Sequence, residues 1–297
     1  MPPCTRGAPA ITDFDTSGRD RLALALLTQY RMATTEQMHL IVSPDVRIEQ
    51  TRRRLLKLRA EGLIDRVTLP QAGRLRVWHP RAYGAQIASG WPELRGRRPP
   101  RTATDRTAVR LAVGHALTVT ETALQFLQDA RRRGDMCQPL DRLPEAHHPL
   151  GGGIEVDRAT MGPERMAAKL NSYARLLSYV PQPVGRRPTL EARQEEWRHR
   201  YPLFPRVLFV LDGTGPAGVE PCLRALRAAS EDLAVANLLR TVPVLATPLT
   251  DLRRHEPVAS VWRPVRDPEQ RSGPGMPSRV SGWQKKMECT APVGFCY

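Results

Sequence analysis

The stretch SPDVRIEQTRRRLLKLRAEGLI, residues 43–64, decides how the first part of the chain folds. Ile48, Thr51, Leu55 and Leu58 fall on one helical stripe, whereas Gln50, Arg53 and Lys57 lie opposite it and Arg54 sits at its flank. Gly62 ends the pattern, because glycine tolerates the left-handed backbone that closes a helix. The spacing predicts a helix near residues 47–61 with one face for a core and the other cationic with an amide.

Downstream, LIDRVTLP (63–70) and LRVWHP (75–80) are short strand candidates joined by QAGR (71–74), a hairpin-like turn. Upstream, ATTEQMHLIV (33–42) places Thr34 three residues before Gln37, the spacing of a capping box in which each side chain satisfies a free amide at a helix start. GRDRLALALLTQY (18–30) predicts a short amphipathic helix near residues 19–30. Three helices and then a hairpin is the order of a winged helix-turn-helix, whose third helix enters the major groove of DNA. Arg and Lys can contact phosphates or the guanine edge, and Gln can pair bidentately with adenine. Gln50, Arg53, Arg54 and Lys57, with Arg74 and Arg76 at the wing tip, are therefore the candidate DNA contacts. The plainer reading of the same residues is a solvated helix face.

The whole chain fits a polyanionic partner. Its 297 residues carry 45 Lys and Arg against 30 Asp and Glu, a formal charge of +15, although arginine so outnumbers lysine that compositional bias accounts for part of the excess. Cys4, Cys137, Cys222, Cys289 and Cys296 are odd in number and form no CxxC pair, so neither a disulfide framework nor a zinc site is indicated. No segment approaches the roughly 18 apolar residues of a membrane span, and the opening MPPCTRGAPA has no apolar signal region. A cytoplasmic protein is expected, with no membrane partner.

Residues 1–17 read as disordered, 18–92 as the winged-helix domain, and 93–134 as a basic linker, ELRGRRPPRTATD, followed by a long helix. Val113, Leu117, Thr120, Leu124 and Leu127 form that helix's stripe; it could pair two subunits as a homodimer, but packing onto its own chain is the commoner use. His115 reads as a hydrogen-bonded helix histidine, and the adjacent His147 and His148 have no partner at metal-ligand spacing. Residues 135–265 alternate types: GIEVD as a strand, GPERMAAKLNSYARLLSYV as a helix, RVLFVLDG as a strand, GVEPCLRALRAASEDL as a helix and TVPVLAT as a strand, which is α/β organisation. Residues 266–297 lack periodicity and read as a disordered tail.

Chemistry, if present, would centre on GIEVD. Alternation along a strand points Glu155 and Asp157 the same way, and Lys169 follows on the next helix. Two carboxylates and a lysine are the minimal equipment for phosphodiester hydrolysis assisted by Mg²⁺ or Mn²⁺. The alternative is that Asp157 and Thr160 cap the next helix or turn, with Glu155 solvated or paired to Arg158 or Arg165. Without an active site of this kind no cofactor is required. No phosphate-cradling Gly-rich loop, GxSxG elbow or Cys/His pair is present.

Taken together, LLTQYRMATTEQMHLIV, RRRLLKLRAEGLIDRV, RVWHP, RAYGAQIA, HALTVTETALQF, IEVDRAT with KLNSY, FPRVLFVLDG, VPVLATPLTDLRRHEP and VWRPV resemble the replication-relaxation family of actinobacterial plasmids and mobile elements, over about residues 19–265. The resemblance implies an α+β chain of two domains: a winged helix-turn-helix, a connecting helix and a shortened or eroded restriction-endonuclease-like domain of the PD-(D/E)xK type. It also implies an accessory protein that binds double-stranded DNA and works alongside plasmid replication or relaxation proteins. This sequence departs from the nuclease pattern: the triplet ends in Asp157 rather than lysine, Asp141 is the one well-spaced upstream acid, and Lys169 would have to supply the cation from the helix. A DNA-binding factor without cleavage is the leading expectation, a Mg²⁺- or Mn²⁺-dependent nuclease using Glu155, Asp157 and Lys169 the rival, and a winged-helix transcriptional regulator a third.

Overall fold

The computed structural model describes residues 18–69, 73–94, 106–140, 154–157, 163–181, 194–199, 204–213 and 216–267. The expectations for residues 1–17, most of the 93–105 linker, Asp141, His147, His148 and the tail beyond residue 267 lie outside the described residues. The architecture is mixed α and β with two small sheets, and the chain divides into two compact units, Met1–Leu117 and Thr118–Tyr297.

The first unit opens with helices α1 (Arg19–Tyr30), α2 (Thr35–Val42) and α3 (Ile48–Ala60), with the two-residue strand β1 (Ala33–Thr34) between the first two. Strands β2 (Ile64–Leu69) and β3 (Leu75–Pro80) follow, then helix α4 (Ala82–Ser89) and a 3₁₀ turn at Pro92–Leu94. The sheet order is β1-β3-β2, antiparallel throughout, with Val67 opposite Val77 and Thr68 opposite Arg76. The predicted capping box forms: Gln37 N donates to Thr34 Oγ1 at 3.1 Å and Thr34 N donates to Gln37 Oε1 at 3.0 Å. α3 closes as its glycine requires. Gly62 takes φ +76°, Gly62 N donates to Arg59 O and Leu63 N donates to Leu58 O, both at 3.0 Å, which is a Schellman motif.

Helix α1 differs from the amphipathic expectation. From Ala23 to Tyr30 every residue is buried, because α1 is enclosed by α2, α3, α4 and β3. Its alternation of Leu and Ala suits close packing on several sides. Trp78 of β3 is buried and its indole N–H donates to Thr35 Oγ1 at 2.9 Å, which fixes the sheet to the start of α2. α4 approaches the turn after α3 so closely that Gly84 has no room for a side chain: a Cβ there would collide with the Leu63 carbonyl oxygen. Helix α5 (Arg106–Arg133) spans the boundary between the units, and its first half lays Val109, Val113 and Ala116 on Met32, Val67 and Val77.

The second unit holds a sheet ordered β4 (Ile154–Asp157), β5 (Val207–Leu211), β6 (Val244–Pro248), β7 (Arg263–Pro264). The first two pairings are parallel and the last is antiparallel. Helices α6 (Pro163–Leu177), α7 (Pro216–Ala229) and α8 (Leu233–Thr241) form a core with one face of that sheet: Met166, Leu170, Leu223, Leu226, Val235 and Leu238 meet Val207, Phe209, Leu211, Val244 and Ala246. Pro163 is the first residue of α6, where its missing N–H costs nothing. The helix expected over 218–233 is α7, which ends at Ala229; the Asp232 carboxylate then accepts from Ala234 N at 2.8 Å and Val235 N at 3.3 Å and starts a further helix, α8, that lies almost wholly beyond the expected span. Helix α9 (Leu249–Arg254) leads into a turn where Trp262 is fully buried, donating to Pro257 O at 2.8 Å and lying 6.2 Å from Phe126 of α5.

Gly84→Ala should destabilise the protein by about 2 kcal/mol or more, despite alanine's higher helix propensity, since backbone must move to admit the methyl. Gly90→Ala, where only ordinary van der Waals packing awaits, should change stability by less than about 1 kcal/mol. Urea unfolding of the two variants checks the contrast; equal stabilities would refute the close approach.

Candidate nucleic-acid interface

The packing of α3 sorts its side chains. Thr51, Leu55 and Leu58 are buried and Ile48 is half-buried, while Gln50, Arg53 and Lys57 are exposed on the other side. His39 of α2 shares a hydrogen bond at 3.2 Å with the Thr51 hydroxyl, and Arg59 of α3 binds Asp65 of β2 at 3.0 Å, so both flanks of the helix are tied to neighbouring elements.

Arg54 stands apart from the other candidates. Its Nε lies 2.5 Å from Asp20 Oδ1 in α1, with the two side chains only 24% and 12% exposed, a close ion pair without the alignment of a good hydrogen bond. A charge pair this enclosed fixes the helix in place, and removing one partner strands the other. Lys57 is intermediate: its ammonium is 3.9 Å from Asp20 and 3.9 Å from Glu61, yet its side chain remains 43% exposed. Arg52 pairs with Glu49 at 3.2 Å one turn earlier. Arg53 makes no ion pair among the described residues.

At the hairpin tip Gly73 and Arg74 both adopt the left-handed backbone, with φ +63° and +60°. Arg74 and Arg76 are exposed. Behind them the Arg66 guanidinium lies 5.8 Å from the Trp78 ring, and its pKa is pushed down by burial and then by the charges of Arg76 and Arg59. Arg66 thus carries positive charge from α3 across the hairpin, beside the Arg59–Asp65 pair. Neither stands out in the sequence, since Arg66 sits inside a strand whose pattern does not alternate cleanly and Arg59 borders the core stripe.

In the second unit β4 is placed by its backbone register: Glu155 beside Phe209, Val156 beside Val210 and Asp157 beside Leu211. Val156 is buried. The side chains of Glu155 and Asp157 lie outside the described residues, and Lys169 is half-buried on α6. Asp212, the residue that follows β5, accepts a hydrogen bond at 2.6 Å from the Thr118 hydroxyl. Among the described residues no three His, Cys, Asp or Glu side chains gather as a metal site, and no helix is long and apolar enough to cross a membrane.

A family model described as replication-relaxation matches residues 24–190, more than half of the chain. The chain belongs to the replication-relaxation family. Neither a curated protein nor a solved structure matches it. The matched span includes α3, the hairpin, β4 and α6, so this member of the replication-relaxation family carries both the basic surface and the IEVD strand within the part that defines the family.

Two outcomes follow from this geometry. Arg54→Ala should lower stability by about 1–3 kcal/mol in a denaturant titration by leaving the enclosed Asp20 carboxylate with only the Lys57 ammonium at 3.9 Å, whereas Arg53→Ala should stay within about 0.5 kcal/mol of the parent. Acidification should loosen the hairpin. Burial lowers the His79 pKa against the Pro80 carbonyl and Asp65; at Asp65 burial pulls upward but is outweighed by the Arg66 amide and the Arg59 guanidinium, which leaves that carboxyl below its ordinary value. Both groups bind protons less readily folded than unfolded, so stability falls as pH drops through the ordinary histidine range and again through the ordinary carboxylate range. Asp65 and His79 face each other in the β2–β3 register, and His79→Gln should remove the first of the two steps in unfolding free energy measured against pH.

Proposed function

We propose that this replication-relaxation protein is a double-stranded-DNA-binding accessory factor for the replication or relaxation of a plasmid or other mobile element. In this reading the first unit is a winged helix-turn-helix, α3 is the helix that enters the major groove, and the β2–β3 hairpin is the wing. The observation that carries it is the exposure of Gln50, Arg53 and Lys57 on the side of α3 away from its core stripe, beside a hairpin whose Arg74 and Arg76 are also exposed. Phosphate binding falls to Lys57, Arg74 and Arg76, and Gln50 and Arg53 reach base edges. Arg54 is assigned a positioning role, because its charge is taken up by Asp20.

A second reading keeps Glu155, Asp157 and Lys169 as a nuclease centre with Mg²⁺ or Mn²⁺. What favours it is that β4 and β5 are parallel neighbours and that Asp157 and Asp212 stand in sequence at their carboxyl ends, the end where open α/β sheets bind ligands. We assign no cleavage, since the lysine of the nuclease triplet is replaced by Asp157.

One experiment on supercoiled plasmid separates the readings. The purified chain should retard the plasmid and leave it supercoiled in Mg²⁺ or Mn²⁺. Arg53→Ala/Lys57→Ala should weaken binding and reduce the slope of log affinity against log salt by about 0.9 for each phosphate that the variant no longer neutralises. Unchanged affinity in that variant would remove α3 from the interface. Nicking by the parent, abolished in Glu155→Gln/Asp157→Asn, would replace the binding factor by an enzyme.

A further inference from the structure

The outermost ridge of α3 is not its most basic line. Glu49, Arg53, Leu56 and Ala60 follow i, i+4, i+7, i+11 and all are exposed. Leu56 is 47% exposed, and it is the one large apolar side chain on the uncovered side of the helix. Its neighbours one turn away are Arg52, Arg53, Arg59 and Ala60. A lone apolar group with three arginines one turn away is a poor seat for a protein partner, which needs a contiguous apolar patch. It suits a surface that is polyanionic overall and offers small isolated apolar spots. The major groove of DNA is such a surface, and its apolar spot is the C5-methyl group of thymine.

We propose that Leu56 reads a thymine methyl in the DNA site, making it a specificity-determining residue. The proposal rests on the DNA-binding reading and sharpens it. Arg53, one turn earlier on the same ridge, reaches the base edge of a neighbouring pair, and Ala60 leaves room for the groove wall. Arg52 is held by Glu49 and Arg59 by Asp65, so these two guanidiniums frame the leucine rather than compete for the base it touches.

The test changes one methyl group. Duplexes are selected from a random library on the full-length chain, and the selected duplex is remade with deoxyuridine at each thymine in turn, which removes the methyl and preserves every hydrogen-bonding group. At one position the parent should bind the uracil duplex about 3–5-fold more weakly, the value of one buried methyl group. Leu56→Ala should bind the thymine duplex that much more weakly, be indifferent to the uracil exchange, and keep the parent's salt slope, since no charge is altered. Leu56→Met should retain the sensitivity. A parent insensitive at every thymine, or a Leu56→Ala protein with the parent's sensitivity, overturns the proposal while leaving DNA binding intact. A chain that enriches no duplex at all overturns the DNA-binding reading and this inference with it.

Discussion

The first unit is organised around a carboxylate that is almost out of water. Asp20 lies at the start of α1, whose residues from Ala23 to Tyr30 are all buried, and its charge is offset by Arg54 from α3 with Lys57 at the margin. Neither ion alone would tolerate that degree of enclosure. The pair sets the rotation of α3 about its axis: with Arg54 drawn toward α1, and Thr51, Leu55 and Leu58 toward the core, Arg53 and Leu56 must face outward. The same constraint continues at the helix end, where the Schellman turn at Gly62 and the Arg59–Asp65 pair hand the chain directly to β2. Which cations of α3 stay outward is thus decided inside the unit.

Local signals make most of this unit legible in the sequence. The Thr34–Gln37 box and the Gly62 stop each depend on residues within a few positions of one another, and each forms as its spacing predicts. What the sequence hides depends on separation. Arg54 looks like its neighbour Arg53, because nothing in SPDVRIEQTRRRLLKLRAEGLI discloses a carboxylate more than thirty residues upstream. The enclosure of α1 is hidden as well, since a leucine- and alanine-rich segment reads as amphipathic until its partners on every side are known. Leu56 gives no signal either, because exposed leucines are common and a lone one carries no period.

In the second unit the strands are readable as apolar runs, but helix boundaries are not. ALRAASEDLAVANLL continues in apolar spacing across Ser230–Asp232, and only the Asp232 cap divides it into α7 and α8. Strand β7 is two residues long and is paired through β6 rather than through any pattern of its own. The candidate carboxylates illustrate a different limit. Periodicity assigns Glu155 and Asp157 to a strand, and the register with Phe209 and Leu211 agrees, yet a nuclease centre is a matter of where a third group stands, which neither alternation nor register supplies.

The acids of the first unit therefore shape its surface, Asp20 from beneath it and Glu49 from the outer ridge itself. Asp20, Glu49, Glu61 and Asp65 each hold a specific cation of α3, and what remains outward is a narrow line of Arg53, Leu56 and Ala60 flanked by Gln50 and Lys57. A surface built only for phosphate attraction would gain from leaving every arginine of RRRLLKLR unpaired. Pairing Arg52, Arg54 and Arg59 instead reduces the general field and leaves a patterned edge, in which one donor fork, one amide and one apolar group stand at fixed spacing. On the proposed DNA-binding reading, such an edge would lose some of the non-specific, salt-driven affinity of a uniform cationic face and gain dependence on the identity of the bases it meets.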